Sequence, residues 1–543
     1  MNIDNIMHRN LKTTEDLAEV LCSIPNGKLG VFFGAGVSRN AGLPLANELK
    51  NEILNVMEMS EYQNALSHIP FEQFMEFVIG FSNENNDILE IFNQGNPTLF
   101  HELMAHCIKN GKIKNILTTN FDMLLEKACI DKNVNICRLC NEQEFNLKDI
   151  TTPCYIKIHG SIDDISSTRI ILSDITKNEN IESRNRVLNY FFNDTNEEIV
   201  IILGYSCSDV FDILPFMKSN NNDFSKKIIF IEHCNYSNNN IYVLKNKNPL
   251  KKFSGVRIRC NTNNLIIDWY KKEMNYEKPL TIESTSWKEY CSHLPVYLEN
   301  KNKLVVGALL QHRRLFELST NLFREILEEE QFKWSGNMKV SIYNTISFNL
   351  YNLFKMRKYK NIYIENKYQY LECAENVIKT EKIDWIHCKT TYAKYAAMLI
   401  LDRRYKEAVV KLEQAKSIII TDNQTSLNLM FKDAALQGII GDSYYSLYTV
   451  TKNKDYLNCA HEHYYKSFDF FSKKGGYMIE KEISYYNMAR IYIKEGIMNK
   501  EVEDYIKVSH EIARNIGDVV GVRKCSYLRR LIHKLEISGE THS

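Results

Sequence analysis

The feature that most constrains this chain is a change of period partway along it. Up to about residue 270, short apolar runs recur at residues 29–33, 113–118, 154–158, 198–203, 227–232 and 256–260, each bounded by polar or glycine-containing segments. Runs of this length and character read as strands buried on both faces. Between them lie helical patterns at 102–109, 121–128, 184–192 and 211–218. Ahead of the first strand, residues 15–24 place Leu17, Val20, Leu21 and Ile24 on one helical face, and Pro25 ends it. Strand alternating with helix predicts a doubly wound α/β domain, a Rossmann-like parallel sheet.

Beyond residue 280 the strand signal vanishes. In "TYAKYAAMLILDRRYKEAVVKLEQAKSI", Tyr392, Tyr395, Ala396 and Leu399 form one helical stripe, and Tyr405, Ala408, Leu412 and Ala415 form a second. The break falls at residues 402–404, and the small residues Ala396 and Ala408 allow close approach. Looser versions pair Ile440, Gly441 and Tyr444 with Ala460, Tyr464 and Ser467, and Tyr485, Met488, Ala489 and Tyr492 with Val502, Tyr505 and Ser509. Such hairpins resemble divergent tetratricopeptide repeats, with an irregular helical domain as the alternative. At 543 residues the chain is too long for one core. The expectation is therefore an α/β domain over residues 1–278 and an all-α helical-repeat domain over 279–543, with the boundary near 275–285. The Asn- and Lys-rich stretch 235–254 reads as a long loop within the first domain.

A net charge of +1 argues against nucleic-acid binding as the main task, because phosphate neutralisation needs a basic excess. No apolar run reaches membrane-spanning length, and the N-terminal "MNIDNIMHRNLKTTEDL" lacks the basic-then-apolar pattern of a signal peptide. A cytoplasmic location is expected, and the 14 scattered cysteines then read as thiols.

The first strand runs into "GAGVSRNAGLP". Gly34 and Gly36 strip side chains from the turn, which puts main-chain N–H groups at the C-terminal edge of the sheet, where diphosphates bind. Position 39 is arginine, so the dinucleotide fingerprint is incomplete, and a plain strand-to-helix turn capped by Ser38 or Asn40 explains the stretch equally well. The other strand ends change the weighing. "ILTTNFD" delivers Thr118, Thr119, Asn120 and Asp122; "IKIHGSID" delivers His159 and Gly160; "ILGYSCSD" delivers Gly204, Ser206 and Asp209. Singly, each has a bland reading: turn residue, helix cap, rim histidine, packing glycine. Together they furnish one rim of a parallel sheet with what a ligand crevice needs.

"GAGVSRNAGLP", "TTNFD", "KIHGS" and "LGYS", in that order, resemble the sirtuin superfamily, specifically the bacterial sirtuin-like domains of antiphage defence proteins, over residues 15–270. The resemblance implies an NAD site. Gly34, Ala35, Gly36 and Ser38 would line the diphosphate, and Pro44 and Thr118 would also belong to the cofactor site. Asn120 and Asp122 would lie beside the nicotinamide ribose, and Gly204 and Ser206 would face the adenosine. Asn120, Asp122 and His159 would be catalytic. Protein-deacylating sirtuins follow the Gly-x-Pro turn with an acidic residue, Phe and Arg; here Leu45, Ala46 and Asn47 stand there. Those sirtuins also carry two Cys pairs for zinc after the His-Gly. Here Cys137 and Cys140 precede His159 and no second pair follows, so no metal site is expected. Both departures lean towards NAD hydrolysis to nicotinamide and ADP-ribose. A deacylase or ADP-ribosyl transferase, and a non-catalytic NAD-binding sensor, are the alternatives. The defence resemblance further implies an abortive-infection effector, homo-oligomeric and triggered through its helical domain by a phage-derived protein.

Overall fold

The computed structural model describes residues 11–81, 88–140, 153–171, 175, 178–207, 213, 216–217, 225–236, 238–244, 253–277, 301–329, 334–356, 368–418, 427–473, 478–515 and 518–538. The chain divides into two compact units, Met1–Glu299 and Asn300–Ser543. Most of the expected boundary at 275–285 lies outside the described residues, as do Asp209 and most of the expected helix 211–218.

In the first unit, eight strands among the described residues form one sheet: β1 (Leu29–Phe33), β2 (Ile113–Thr118), β3 (Cys137–Leu139), β4 (Cys154–Lys157), β5 (Ile199–Leu203), β6 (Lys227–His233), β7 (Tyr242–Leu244) and β8 (Gly255–Cys260). Their order is β3-β4-β2-β1-β5-β6-β8-β7, parallel except for β7 against β8. Around them lie α1 (Thr14–Ser23), α2 (Ala46–Val56), α3 (Gln63–Leu66), α4 (Phe71–Phe81), α5 (Leu99–Lys109), α6 (Leu124–Asp131), α7 (Asn178–Asn189) and α8 (Thr262–Met274).

Side chains alternate across a strand, so β1 feeds two cores. Leu29, Val31 and Phe33 pack with Leu17, Leu21, Phe100, Leu103 and Trp269 from α1, α5 and α8. Phe32 points the other way, to Val187 and Leu188 of α7 and to Phe191 and Phe192 beyond it. Burial on both faces is why these strands read as continuous apolar runs.

Two strands depart from the sequence expectation. Cys137–Leu139 and Tyr242–Leu244 each have three residues and lie at the two edges of the sheet, where one face stays open; Tyr242 and Val243 are exposed. Edges of three residues, Cys-Arg-Leu and Tyr-Val-Leu, are too short to show a strand period. The second of them interrupts what reads from sequence as a loop over 235–254. Helix α6 begins at Leu124 instead of 121, because the carboxylate of Asp122 accepts the Leu124 N–H and ends the preceding loop there.

Register sets the rim. Phe33 pairs with Thr118 on one side and Leu203 on the other, and Thr118 pairs with Lys157. The last residues of four neighbouring strands therefore stand in one row, and the residues after them emerge side by side. The strand order reverses between β1 and β5, the topological switch point where open α/β sheets place their crevice.

The second unit contains only helices among its described residues: α9 (Asn302–His312), α10 (Phe316–Glu328), α11 (Gly336–Lys355), α12 (Gln369–Thr380), α13 (Trp385–Leu401), α14 (Tyr405–Ser417), α15 (Leu427–Thr451), α16 (Lys454–Lys473), α17 (Met478–Lys494), α18 (Lys500–Asn515) and α19 (Val519–Ser538). Consecutive helices pair as hairpins, and each hairpin packs on the next. The small residues do what their spacing suggests. Ala396, Ala408 and Ala415 are fully buried, and a Cβ on Gly441 would stand 2.6 Å from the Tyr464 ring. An Arg314–Asp518 ion pair ties the turn after α9 to the start of α19, joining the two ends of the array. No described helix in either unit is long and apolar enough to cross a membrane.

At the start of α5, Nδ1 of His101 accepts the Thr98 N–H at 3.2 Å, so the ring proton sits on Nε2. The ring is fully buried, and burial lowers its pKa to about 4. An unfolded imidazole takes up a proton near ~6.5. Between those values the unfolded chain binds the extra proton, so first-unit stability should fall as pH drops from about 6.5 to about 4. Melting of wild type and His101→Gln across that range should show a shallower acid loss in the variant; parallel curves would refute the assignment. Separately, Gly204 has φ +66°, and a Cβ there would stand 2.8 Å from Val37. Gly204→Ala should cost on the order of 1–3 kcal/mol in denaturant unfolding. Gly111→Ala, with φ +69° and no atom in the way, is the control and should cost less.

Candidate active site

The loops after β1 and β5 meet main chain to main chain. Gly34 N–H donates to the Leu203 carbonyl at 3.2 Å, and Gly36 N–H donates to the Gly204 carbonyl at 2.9 Å. A Cβ on Gly34 would lie 2.8 Å from the Gly204 oxygen, and one on Gly36 would lie 2.8 Å from the Gly204 Cα. The glycines are thus required by the close approach of two backbones. The N–H groups of Val37 and Ser38 close single turns on Gly34 and Ala35. Most of the donors that the bare turn suggested for a ligand are therefore used inside the protein. Ala35 is the turn residue whose N–H enters none of these bonds, and Ala35 and Gly36 are exposed.

Ser38 does not cap the following turn. Its hydroxyl turns inward and donates to Asp122 Oδ2 at 2.8 Å. Asn120 Nδ2 donates to Ser38 Oγ at 3.0 Å and to Asp122 Oδ2 at 3.1 Å. The opposite amide orientation would set two oxygens against each other, so the network fixes the amide. Thr118 is fully buried; its hydroxyl donates to the Phe33 carbonyl and accepts the Asn120 N–H, both at 3.0 Å. Asp122 also accepts the Leu124 N–H at 3.2 Å. With three donors on it and 3% exposure, this carboxylate orients its neighbours. Asn120 Oδ1 is left buried with no protein partner. A buried acceptor in that condition costs about 1–3 kcal/mol unless water or a ligand donates to it.

His159 lies two residues beyond the end of β4, and the N–H of the intervening Ile158 bonds the Thr118 carbonyl at 3.0 Å. Its ring is 7% exposed and stacks on Phe121 at 6.2 Å, one residue from Asn120. Gly160 turns the chain with φ +85°, and a Cβ there would overlap the Ser167 carbonyl. Beneath lies Lys157, fully buried, with Nζ 3.0 Å from Glu126 Oε1. Burial pushes the Glu126 carboxyl up, and Lys157 pulls against that.

The structure thus brings together Ser38, Thr118, Asn120 and Asp122 in one hydrogen-bonded set, and Gly34, Gly36 and Gly204 in one backbone contact. His159 joins the first group through Phe121. Ser206 is exposed on the β5 loop, and Pro44 is buried beyond the turns after β1. Asn40 bonds Asn263 of α8 at 2.9 Å, and Leu45, one of the departures from the deacylase pattern, stands at the start of α2 with its N–H on Glu48. Lys157, Glu126 and His101 escape a reading of the sequence. The one signal is a lysine inside the apolar run of β4.

An oriented amide oxygen, a nearby carboxylate and an imidazole on neighbouring loops can align a water or hydroxyl, stabilise positive charge and take a proton. Residues 114–248 match the SIR2-like domain family. The chain is also similar to the protein named NAD(+) hydrolase ThsA of Enterococcus faecium, 26% identical over 194 residues. That alignment covers 34% of this chain and 39% of the relative, so the chain spans about two fifths of the relative's length. Residues 114–248 of the sheet unit are thus similar to SIR2-like domains, and the unit that follows in the chain is all-helical among its described residues.

Proposed function

We propose that the sheet unit cleaves NAD between nicotinamide and the ribose C1′, releasing nicotinamide and ADP-ribose. The observation that carries this reading is Asn120 Oδ1, buried and unpartnered because both amide hydrogens are spent on Ser38 and Asp122. When the C1′–N bond breaks, its electron pair leaves with nicotinamide and neutralises the ring cation, so no strong acid is needed. Positive charge builds on C1′ and the ribose ring oxygen, and the Asp122 carboxylate supplies the opposing field. Water donates one hydrogen bond to Asn120 Oδ1, forms the new bond to C1′, and loses its proton to His159. The exposed Ala35–Gly36 turn and the loop of Gly204 and Ser206 would receive the diphosphate and adenosine side, and Thr118 and Pro44 would support the ribose and the turn. Similarity to a protein named as an NAD(+) hydrolase supports the same chemistry.

On this reading the second unit is a divergent tetratricopeptide-like array that receives an activating signal in the cytoplasm. Its stacked hairpins and numerous half-buried tyrosines suit contact with a protein. The whole chain would act as an oligomeric antiphage effector, triggered by a phage-derived protein and held silent until then, because unchecked NAD loss would harm the host cell.

Pure protein should release nicotinamide from NAD alone, without an acyl-lysine or other acceptor, and faster with extract of infected cells. Turnover only with an acceptor would indicate deacylation or ADP-ribosyl transfer; binding without cleavage under both conditions would indicate a sensor. Asn120→Ala and His159→Ala should each lower turnover by roughly 10²–10⁴-fold with little change in melting temperature. Full activity in both variants would remove the mechanism.

A further inference from the structure

Lys157 closes β4 with its side chain wholly buried. A buried ammonium must find acceptors for its hydrogens, and which acceptors it takes is informative. Nζ lies 2.5 Å from the Asp122 carbonyl, 2.8 Å from Ser161 Oγ, 3.0 Å from Glu126 Oε1 and 3.2 Å from the Phe121 carbonyl. Two of these are consecutive main-chain carbonyls of the loop that carries Asn120. A third belongs to the residue two beyond His159. The Ile162 N–H adds a parallel tie to the Phe121 carbonyl at 3.0 Å. Simple charge neutralisation of Glu126 would need none of the loop contacts, and only one oxygen of that carboxylate is used, since Oε2 is buried without a partner.

We propose that Lys157 is a positioning residue whose ammonium fastens the Phe121–Asp122 main chain to Ser161 and thereby sets the spacing of Asn120 and His159. It acts through the two loops, without touching substrate. A free hinge at either loop would let the amide and the imidazole drift apart, and misplacement by about 1 Å can cost ~10²-fold in rate. The rate readout rests on the NAD-cleaving reading above; the structural readout does not.

Lys157→Met alone would leave the buried Glu126 carboxylate with only its longer ion pair to Arg138 at 3.7 Å, which destabilises the fold for reasons unrelated to positioning. The informative variant is K157M/E126Q in the full chain, which removes both charges at nearly constant volume. Ser161→Ala, which detaches only one end of the tie, is the second variant. In hydrogen exchange, residues 119–123 and 158–162 should exchange about tenfold faster in the double variant, while β1 and β5 keep wild-type protection. In NAD turnover, kcat should fall by ~10²-fold in K157M/E126Q and about tenfold in Ser161→Ala, with KM within about threefold of wild type. Unchanged exchange in both loops, or kcat within threefold of wild type in both variants, overturns the proposal; so does a loss confined to KM. If wild type releases no nicotinamide under any condition, the NAD reading fails, and the exchange arm still decides the role of Lys157.

Discussion

The contact on which the first unit depends is between two stretches of bare main chain. The β1 and β5 loops approach until Gly36 N–H bonds the Gly204 carbonyl, and a methyl group on Gly34, Gly36 or Gly204 would collide with the facing loop. This closes the switch point of the sheet at its C-terminal edge. It also steers the next few residues of the chain. With the turn pressed against the β5 loop, Ser38 is directed inward to the Asp122 carboxylate, and Asp122 in turn holds the Asn120 amide. Backbone packing between β1 and β5 therefore fixes a polar constellation that belongs to β2.

Beneath the rim the protein keeps a buried polar layer where an apolar one would pack more easily. Lys157, Glu126, Asp122, His101 and Tyr155 lie there, and burial lowers the basicity of His101 and raises the pKa of Tyr155. Buried charges of this kind seldom add net stability over apolar replacements. The opposite end of the sheet offers a comparison. There Lys226, Glu197 and Asn115 form a second buried set, with Asn115 Nδ2 2.7 Å from Glu197 and Lys226 Nζ 2.7 Å from the Phe191 carbonyl. That set pins the starts of β2, β5 and β6. The Lys157 set pins the loops at the strand ends, where ligands bind in such sheets. Placement, more than composition, separates the two.

The helical unit is built on a different economy. Its close approaches are side chain to small residue, as where Tyr464 covers Gly441, and its polar groups gather around aromatic rings. Arg490 lies 4.2 Å from the Tyr445 ring centre and is hydrogen-bonded to Asp442. Lys524 lies over Tyr486, and Lys394 over Phe348. Burial without an anionic partner brings Lys394 down to about 8. Such stacks let long cationic side chains line packed helices while each keeps a favourable neighbour.

The order of elements, the sheet class and the four strand ends that meet at the rim were legible in the sequence, because period and punctuation are local properties. Leu29–Phe33 reads as a doubly buried strand whatever lies beside it, and "TTNFD" ends a strand wherever that strand sits. The two edge strands were not legible, since three residues with one open face have no period to detect. Nor was the use of the glycines. Sequence could say that Gly34 and Gly36 expose main chain; only the tertiary structure decided that their N–H groups are spent on the end of β5 and its loop, at the Leu203 and Gly204 carbonyls. The same holds for Ser38, which could equally have capped a turn, and for Lys157, whose four oxygen acceptors come from three separate segments. Local chemistry named the groups, and the register of parallel strands chose their partners, because hydrogen bonds between distant segments exist only once the sheet has set them side by side.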